Sequence, residues 1–80
     1  MKENKFKMDE LIALLKKVKP NVDFENEDGL VDRGILDSLD VISIIAEISD
    51  KYGIAIPNDE IIPDNFNSAE ALKELLDDLM

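Results

Sequence analysis

The sequence predicts an all-α fold: a small four-helix bundle with a long loop between helices 1 and 2 and a short third helix. Three observations lead to this prediction. The chain has 80 residues, which suits one small domain covering residues 1–80. Apolar residues recur at helical spacing in three segments. A stretch without any sustained period, residues 20–37, separates the first two of these segments.

The first helix is predicted over residues from about 5 to 18. Asn4 is its predicted N-cap, because an asparagine side chain accepts hydrogen bonds from the amides of a first turn. Pro20 ends it, because the residue before a proline is disfavoured in the helical region. Its apolar face carries five residues at helical spacing: Met8, Leu11, Ile12, Leu15 and Val18.

The loop over residues 20–37 is long for so small a domain, and such loops are usually functional or disordered. Its apolar residues argue against disorder, because they can hold it on a core: Phe24, Leu30, Val31, Ile35 and Leu36. The stretch "DFENEDG" suggests a calcium loop. With Gly29 at the sixth position of an EF-hand, however, Phe24 and Ile35 fall at the first and twelfth positions, which require carboxylates. The sequence therefore predicts no metal site here.

The second helix is predicted from about Ser38 to Tyr52. Asp37 is a favourable N-cap, and Asp40 follows three residues later, as in a capping box. Gly53 follows the last residue, in the position where helices commonly end on a glycine.

The rest of the chain holds two further helices. "IAIPNDEIIP" predicts a short extended piece and a one-turn helix from about Asn58 to Ile62, which Pro63 closes. Asn67 is the predicted cap of the last helix, with Glu70 at the capping-box position. Four leucines form the apolar stripe of that helix: Leu72, Leu75, Leu76 and Leu79.

The side chains of helix 2 divide into three groups at about 100° per residue. The predicted core face carries Val41, Ile44, Ile45, Ile48 and Tyr52. One polar flank carries Asp40, Glu47 and Lys51. Opposite the core lies an apolar ridge, Leu39, Ile42 and Ala46, bordered by Ser43 and Asp50. This ridge is either a docking surface for a partner or a surface that another loop of the same domain covers.

The missing residue types limit the chemistry. The chain has no histidine and no cysteine, which excludes a Ser-His triad, a thiolate nucleophile and an ordinary zinc site. Any chemistry must use carboxylates, lysines or an attached group. The absence of cysteine also fits a cytoplasmic location, because disulfides are typical of oxidising compartments.

Charge is distributed unevenly along the chain, whose formal net charge is −10. Residues 1–19 hold six lysines and three acids, whereas residues 20–80 hold three basic residues and sixteen acids. So acidic a domain repels nucleic acid and anionic lipid and favours partners with basic patches, although a charged surface also serves solubility. We expect no membrane insertion, because no apolar run is long enough to span a bilayer. We expect no signal peptide, because the first apolar stretch carries Asp9 and Glu10 and lacks a small-residue cleavage site.

Ser38, in "GILDSLDV", has two interpretations. A serine at a helix start is usually structural. Alternatively, the protein displays this hydroxyl: a phosphate ester there would meet free backbone N–H groups and the positive end of the helix dipole.

The order of these features resembles the acyl carrier protein family over nearly the whole chain. The resemblance rests on a helix, the long loop, "LDSLD", a long second helix, "GIAIP", a short third helix and "FNSAEAL". Asp37, Ser38 and Leu39 match the Asp-Ser-Leu motif of that family. The resemblance implies that Ser38 receives 4′-phosphopantetheine from coenzyme A, and that the chain is a carrier and not an enzyme. The attached group supplies the thiol that this chain lacks.

The resemblance also implies partners. We expect a monomer that carries acyl intermediates as thioesters and meets a phosphopantetheinyl transferase, an acyl- or aminoacyl-adenylating ligase, and acyl-processing or acyl-transfer enzymes with basic patches. The predicted docking residues lie on helix 2: Asp40, Ile42, Ser43, Ala46, Glu47 and Asp50.

Two departures keep the cargo open. "DRGILDS" has one residue more before the motif than the "DLGADS" of fatty-acid carriers, and it is more similar to D-alanyl carrier proteins. Ser43, Ser49 and Lys51 stand where fatty-acid carriers generally have glutamates. The alternatives are an aminoacyl carrier of the D-alanyl type, loaded by an adenylating ligase, and an unmodified acidic docking scaffold.

Overall fold

Four α-helices and one 3₁₀ helix make up the computed structural model, which describes residues 7–79. The helices are α1 (Met8–Val18), α2 (Ser38–Tyr52), α3 (Pro63–Phe66) and α4 (Ala69–Leu79), with the 3₁₀ helix at Asn58–Glu60. Helix α1 packs against both α2 and α4, and α3 packs against α4. The all-α prediction, with its long first loop and short third helix, is confirmed.

Helix α1 begins later than predicted, at Met8 and not near residue 5. The backbone of Lys7 is extended, and its side chain makes no capping hydrogen bond. The predicted cap Asn4 lies outside the described residues. The acids Asp9 and Glu10 in the first turn and lysines in the last turn suit the helix dipole.

Helix α2 has the predicted bounds. Its cap residue Gly53 has a left-handed backbone, φ +70°, and its N–H donates to the Ser49 carbonyl. Of the predicted core face, Ile44 and Ile48 are fully buried, and the other three residues are half-buried against the core: Val41, Ile45 and Tyr52.

The predicted one-turn helix from about Asn58 to Ile62 is wrong in its extent. A 3₁₀ turn covers Asn58–Glu60, and Pro63 opens α3 where it was predicted to close a helix. A proline suits the first helical position, because its missing N–H would have no partner there.

The predicted cap of the last helix is also wrong. The amide of Ala71 donates to Ser68 Oγ at 3.0 Å, so Ser68 is the capping residue. Glu70 is then one position too early for a capping box, and Asn67 is free to bind elsewhere. The predicted leucine stripe is confirmed, with Leu79 half-buried and the other three leucines buried.

The core draws on every α-helix and on the long loop. Its fully buried side chains include Leu11, Leu15, Phe24, Leu30, Ile44, Ile48 and Leu76. No polar or charged residue is buried within residues 7–79. The same part of the chain contains no helix long and apolar enough to cross a membrane.

Candidate functional site

Ser38 is the first residue of α2, and its side chain is exposed. The two neighbouring acids cap the helix reciprocally. The Asp40 amide donates to Asp37 Oδ1 at 2.9 Å, and the Asp37 amide donates to Asp40 Oδ2 at 3.1 Å. This capping box leaves the Ser38 hydroxyl without a hydrogen-bond partner in the described chain. The helix start is stable without it.

Two amides of the first turn remain available. The capping box uses the N–H groups of Asp37 and Asp40, whereas those of Ser38 and Leu39 have no acceptor within residues 7–79. These two donors lie at the positive end of the α2 dipole, an environment that favours a phosphate group.

Burial and hydrogen bonding shift the pKa of Asp40 in opposite directions. Partial burial raises it, but the hydrogen bond from the Asp37 amide and the hydrogen bond and positive charge of Lys19 outweigh that effect. The net pKa is lower than its ordinary value of 3.8, so Asp40 is ionised at neutral pH and holds both contacts.

The loop before Ser38 is attached to the junction between α3 and α4 by Asn67. The amides of Val31 and Asp32 both donate to Asn67 Oδ1 at 3.0 Å, and Asn67 Nδ2 donates to Asp32 Oδ2 at 3.1 Å. The Asn67 carbonyl accepts from the Leu30 amide at 2.9 Å. One residue thus binds three consecutive loop residues.

The last residues of the loop are also held by contacts within the domain. Leu36 is buried, and its amide donates to the Leu30 carbonyl at 2.8 Å. Gly34 has a left-handed backbone, φ +73°, which glycine adopts without strain. These contacts fix the direction in which the loop enters α2 at Ser38.

An apolar cleft of about 460 Å³ opens beside Ser38. Its lining residues come from the loop, from the first turns of α2 and from the segment around α3: Val31, Leu36, Asp37, Ser38, Val41, Ile42, Ile61, Ile62, Pro63 and Phe66. Sequence reasoning missed the second wall, Ile61 and Ile62. The doublet "II" beside a one-turn helix was the available signal, because so short a helix buries few side chains.

The ridge is exposed, and no loop within residues 7–79 covers it. Leu39 is 72% exposed and Ile42 is 60% exposed, and Ile62 and Ile61 continue the apolar surface at 44% and 37%. Ser43, Ala46 and Asp50 are exposed as well.

Two of the predicted docking acids, Asp40 and Glu47, are less exposed than Asp50. Asp40 and Glu47 are half-buried and paired with lysines of the α1 end: Lys19 Nζ lies 3.2 Å from Asp40 Oδ2, and Lys17 Nζ lies 3.1 Å from Glu47 Oε1. Their contact with a partner stays a prediction.

A family model described as phosphopantetheine attachment site matches residues 9–76. The chain belongs to this family. Its members are non-catalytic carriers with covalently attached 4′-phosphopantetheine, so the chain is a carrier and not an enzyme. Such a carrier interacts with a phosphopantetheinyl transferase and with processing enzymes. Searches of curated proteins and of solved structures find no match for the chain.

The start of α2 in this carrier suits the prosthetic group. Ser38 presents an exposed hydroxyl that the helix does not need, and two unpaired amides lie beside it. No side chain of the described residues covers the hydroxyl.

Proposed function

We propose that Ser38 is the residue of this carrier to which 4′-phosphopantetheine is attached, and that residues 1–80 act as one carrier domain. The observation that carries the proposal is that the residues that cap α2 are not the residue that presents the hydroxyl. Asp37 and Asp40 cap the helix, and Ser38 has an exposed hydroxyl with no structural role. Ser43, Ser49 and Ser68 lack this setting, and Ser68 is itself a helix cap.

Attachment needs one bond exchange at Ser38. Its Oγ forms a bond to the phosphorus that carries pantetheine in coenzyme A, the pyrophosphate bond breaks, and the nucleotide half leaves. The Ser38 proton must go to a base of the transferase, since the described chain offers its hydroxyl no acceptor. The amides of Ser38 and Leu39 would hold the phosphate that remains on the protein.

The cargo we propose is an acyl group held as a thioester on the thiol that the attached group supplies. The cleft beside Ser38 supports an apolar acyl chain, because Asp37 is the only charged residue among those of residues 7–79 that line it. An aminoacyl cargo of the D-alanyl type would bring an ammonium group to a largely apolar surface, at a cost in desolvation. The loop sequence "DRGILDS" nevertheless keeps that cargo as the second candidate.

Partners would dock on the ridge beside the attachment point. The ridge offers apolar contact through Leu39, Ile42 and Ala46, and Ser43 and Asp50 border it. An exposed apolar patch of this kind, rimmed by polar residues, is typical of interaction surfaces. An adenylating ligase and acyl-transfer enzymes with basic patches are the partners proposed.

Intact mass after incubation with coenzyme A and a broad-range phosphopantetheinyl transferase tests the attachment site. Wild type should gain one group, and Ser38→Ala should gain none. Ser43→Ala, Ser49→Ala and Ser68→Ala are matched controls that should each gain one. Because Asp37 and Asp40 cap the helix, Ser38→Ala should keep its helical circular dichroism. A modified Ser38→Ala protein would overturn the assignment, and an unmodified wild type would favour the unmodified scaffold.

Loading assays separate the cargo classes. The modified protein is offered medium-chain fatty acids or D-alanine, each with ATP and a matching adenylating ligase, and thioester formation is read by mass. Loading with the fatty acid alone is the expected result. Loading with D-alanine alone would reject the acyl assignment but leave the carrier role intact.

A further inference from the structure

The contact between α1 and α2 is lined by three ion pairs. Lys17 pairs with Glu47 at 3.1 Å, Lys19 pairs with Asp40 at 3.2 Å, and Lys51 pairs with Glu10 at 4.0 Å. Within residues 7–79, the two remaining ion pairs lie inside the loop and inside α4. The polar flank predicted for α2, Asp40, Glu47 and Lys51, therefore forms ion pairs with α1 and its cap residue. We call this set of three ion pairs the seam.

Other acids of the described chain have no such partners. Five exposed acids between the 3₁₀ helix and the end of α4 form no ion pair with any described residue: Asp59, Asp64, Glu70, Glu74 and Asp78. Asp9 of α1 and Asp50 of α2 are also exposed without an ion pair to described residues, so Asp40 and Glu47 differ from these acids in being paired.

Of the two paired acids of α2, Asp40 makes more contacts than Glu47. The same oxygen that meets Lys19 also accepts the Asp37 amide of the capping box. A partner that took Asp40 would have to displace a lysine and disturb the start of α2. Glu47 is easier to reach, but the exposed Lys17 ammonium lies against it.

We propose that Lys17 and Lys19 determine partner specificity by masking Glu47 and Asp40 from basic surfaces. The partner that fits α2 is apolar where it meets Leu39 and Ile42, and it carries no basic side chains where it approaches α1. A partner with lysine or arginine there meets two ammonium groups of like charge and must break two ion pairs. The proposal rests on the docking role proposed for α2, but the masking can be measured without any enzyme.

Hexalysine serves as a probe of basic surfaces. It is titrated into ¹⁵N-labelled protein at about 0.01 M salt, where charges act over about 30 Å. In the wild type, amide shifts should be larger near acids without ion pairs, such as Asp64, Glu74 and Asp78, than at Asp40 and Glu47. In Lys17→Gln the shifts should extend to Glu47, and in Lys19→Gln to Asp40. The affinity for hexalysine should rise about twofold to fivefold in each, the range expected for exposed ion pairs.

Lys16 provides the matched control. It neighbours Lys17, is exposed and makes no ion pair with described residues, so Lys16→Gln changes net charge equally without unmasking an acid. Lys17→Arg and Lys19→Arg keep the charge and should behave as wild type. Equal behaviour of the three glutamine variants, or large wild-type shifts at Asp40 and Glu47, would overturn the masking. Failure of Ser38 to be modified would leave this titration unchanged, so the two proposals fail separately.

Discussion

Helix α2 borders two different environments. On its α1 side, three ion pairs cross between helices whose polar side chains remain partly exposed. On the side toward α3, it borders an apolar cleft whose loop wall is attached through Asn67. Surface ion pairs contribute little to stability, whereas buried apolar side chains and part-buried hydrogen bonds contribute more. The cleft side therefore contributes more to the position of Ser38, and the α1 side carries the ion pairs for which we propose a masking role.

The largest difference between the two sides should appear on truncation. Phe66 is buried at the cleft, so Phe66→Ala should lower the free energy of unfolding by about 3–5 kcal/mol. Glu47→Gln on the α1 side should cost less than about 1 kcal/mol. Urea unfolding followed by circular dichroism measures both. Similar losses would show that the seam is as important for stability as the cleft.

The attachment of the loop should give the next largest effect. Asn67→Ala removes the acceptor of two loop amides, the part-buried Val31 amide and the exposed Asp32 amide. It should lower the free energy of unfolding by about 1–3 kcal/mol. Amide exchange of Val31 and Asp32 should accelerate with it. Asn26→Ala is the matched control, because the Asn26 side chain bonds only to Asp23 within the loop, and its effect should stay within about 0.5 kcal/mol. Unchanged exchange at Val31 would contradict this role.

Asp40 contacts both Lys19 at the end of α1 and the Asp37 amide at the start of α2. It should make the free energy of unfolding depend on pH. Its pKa is lower in the folded protein, so its contribution is fully present above the ordinary value of 3.8 and is lost as pH falls through the lowered value. Asp40→Ala should cost about 1 kcal/mol at neutral pH. Unfolding of both proteins across this range should show the difference shrinking toward acid. A difference that grew toward acid would contradict the assigned direction.

The smallest expected effect concerns the seam itself. Lys19→Gln should cost about 0.2–1 kcal/mol at low salt, and the cost should shrink in molar sodium chloride, because salt screens exposed charges. Lys16→Gln should show neither the loss nor the salt dependence. Thermal unfolding at two salt concentrations provides the measurement. A loss that salt leaves unchanged would mean that Lys19 acts through packing and not through charge.

Local signals were sufficient for most of the fold. Apolar periodicity predicted α1, α2 and α4, and the Asp37–Asp40 capping box could be predicted because its two residues are three positions apart. Helical geometry placed Leu39 and Ile42 opposite the core, but whether a loop covers them was left open, and the structure shows them exposed. Helix ends without strong local signals were placed less well. Two residue types that favour N-caps stand in succession at Asn67 and Ser68, and periodicity does not choose between them, although Ser68 alone caps α4.

The sequence by itself therefore determined the three longer helices, the core face of α2 and the position of Ser38 at a helix start, because these depend on neighbours within one or two helical turns. Only the tertiary structure decided the role of Asn67, whose loop partners lie 35 and 36 positions away. It also decided the pairing of Glu47 with Lys17, which are 30 positions apart. Such contacts depend on how the helices pack, and a one-dimensional pattern of apolar and polar residues does not specify which charges that packing brings together.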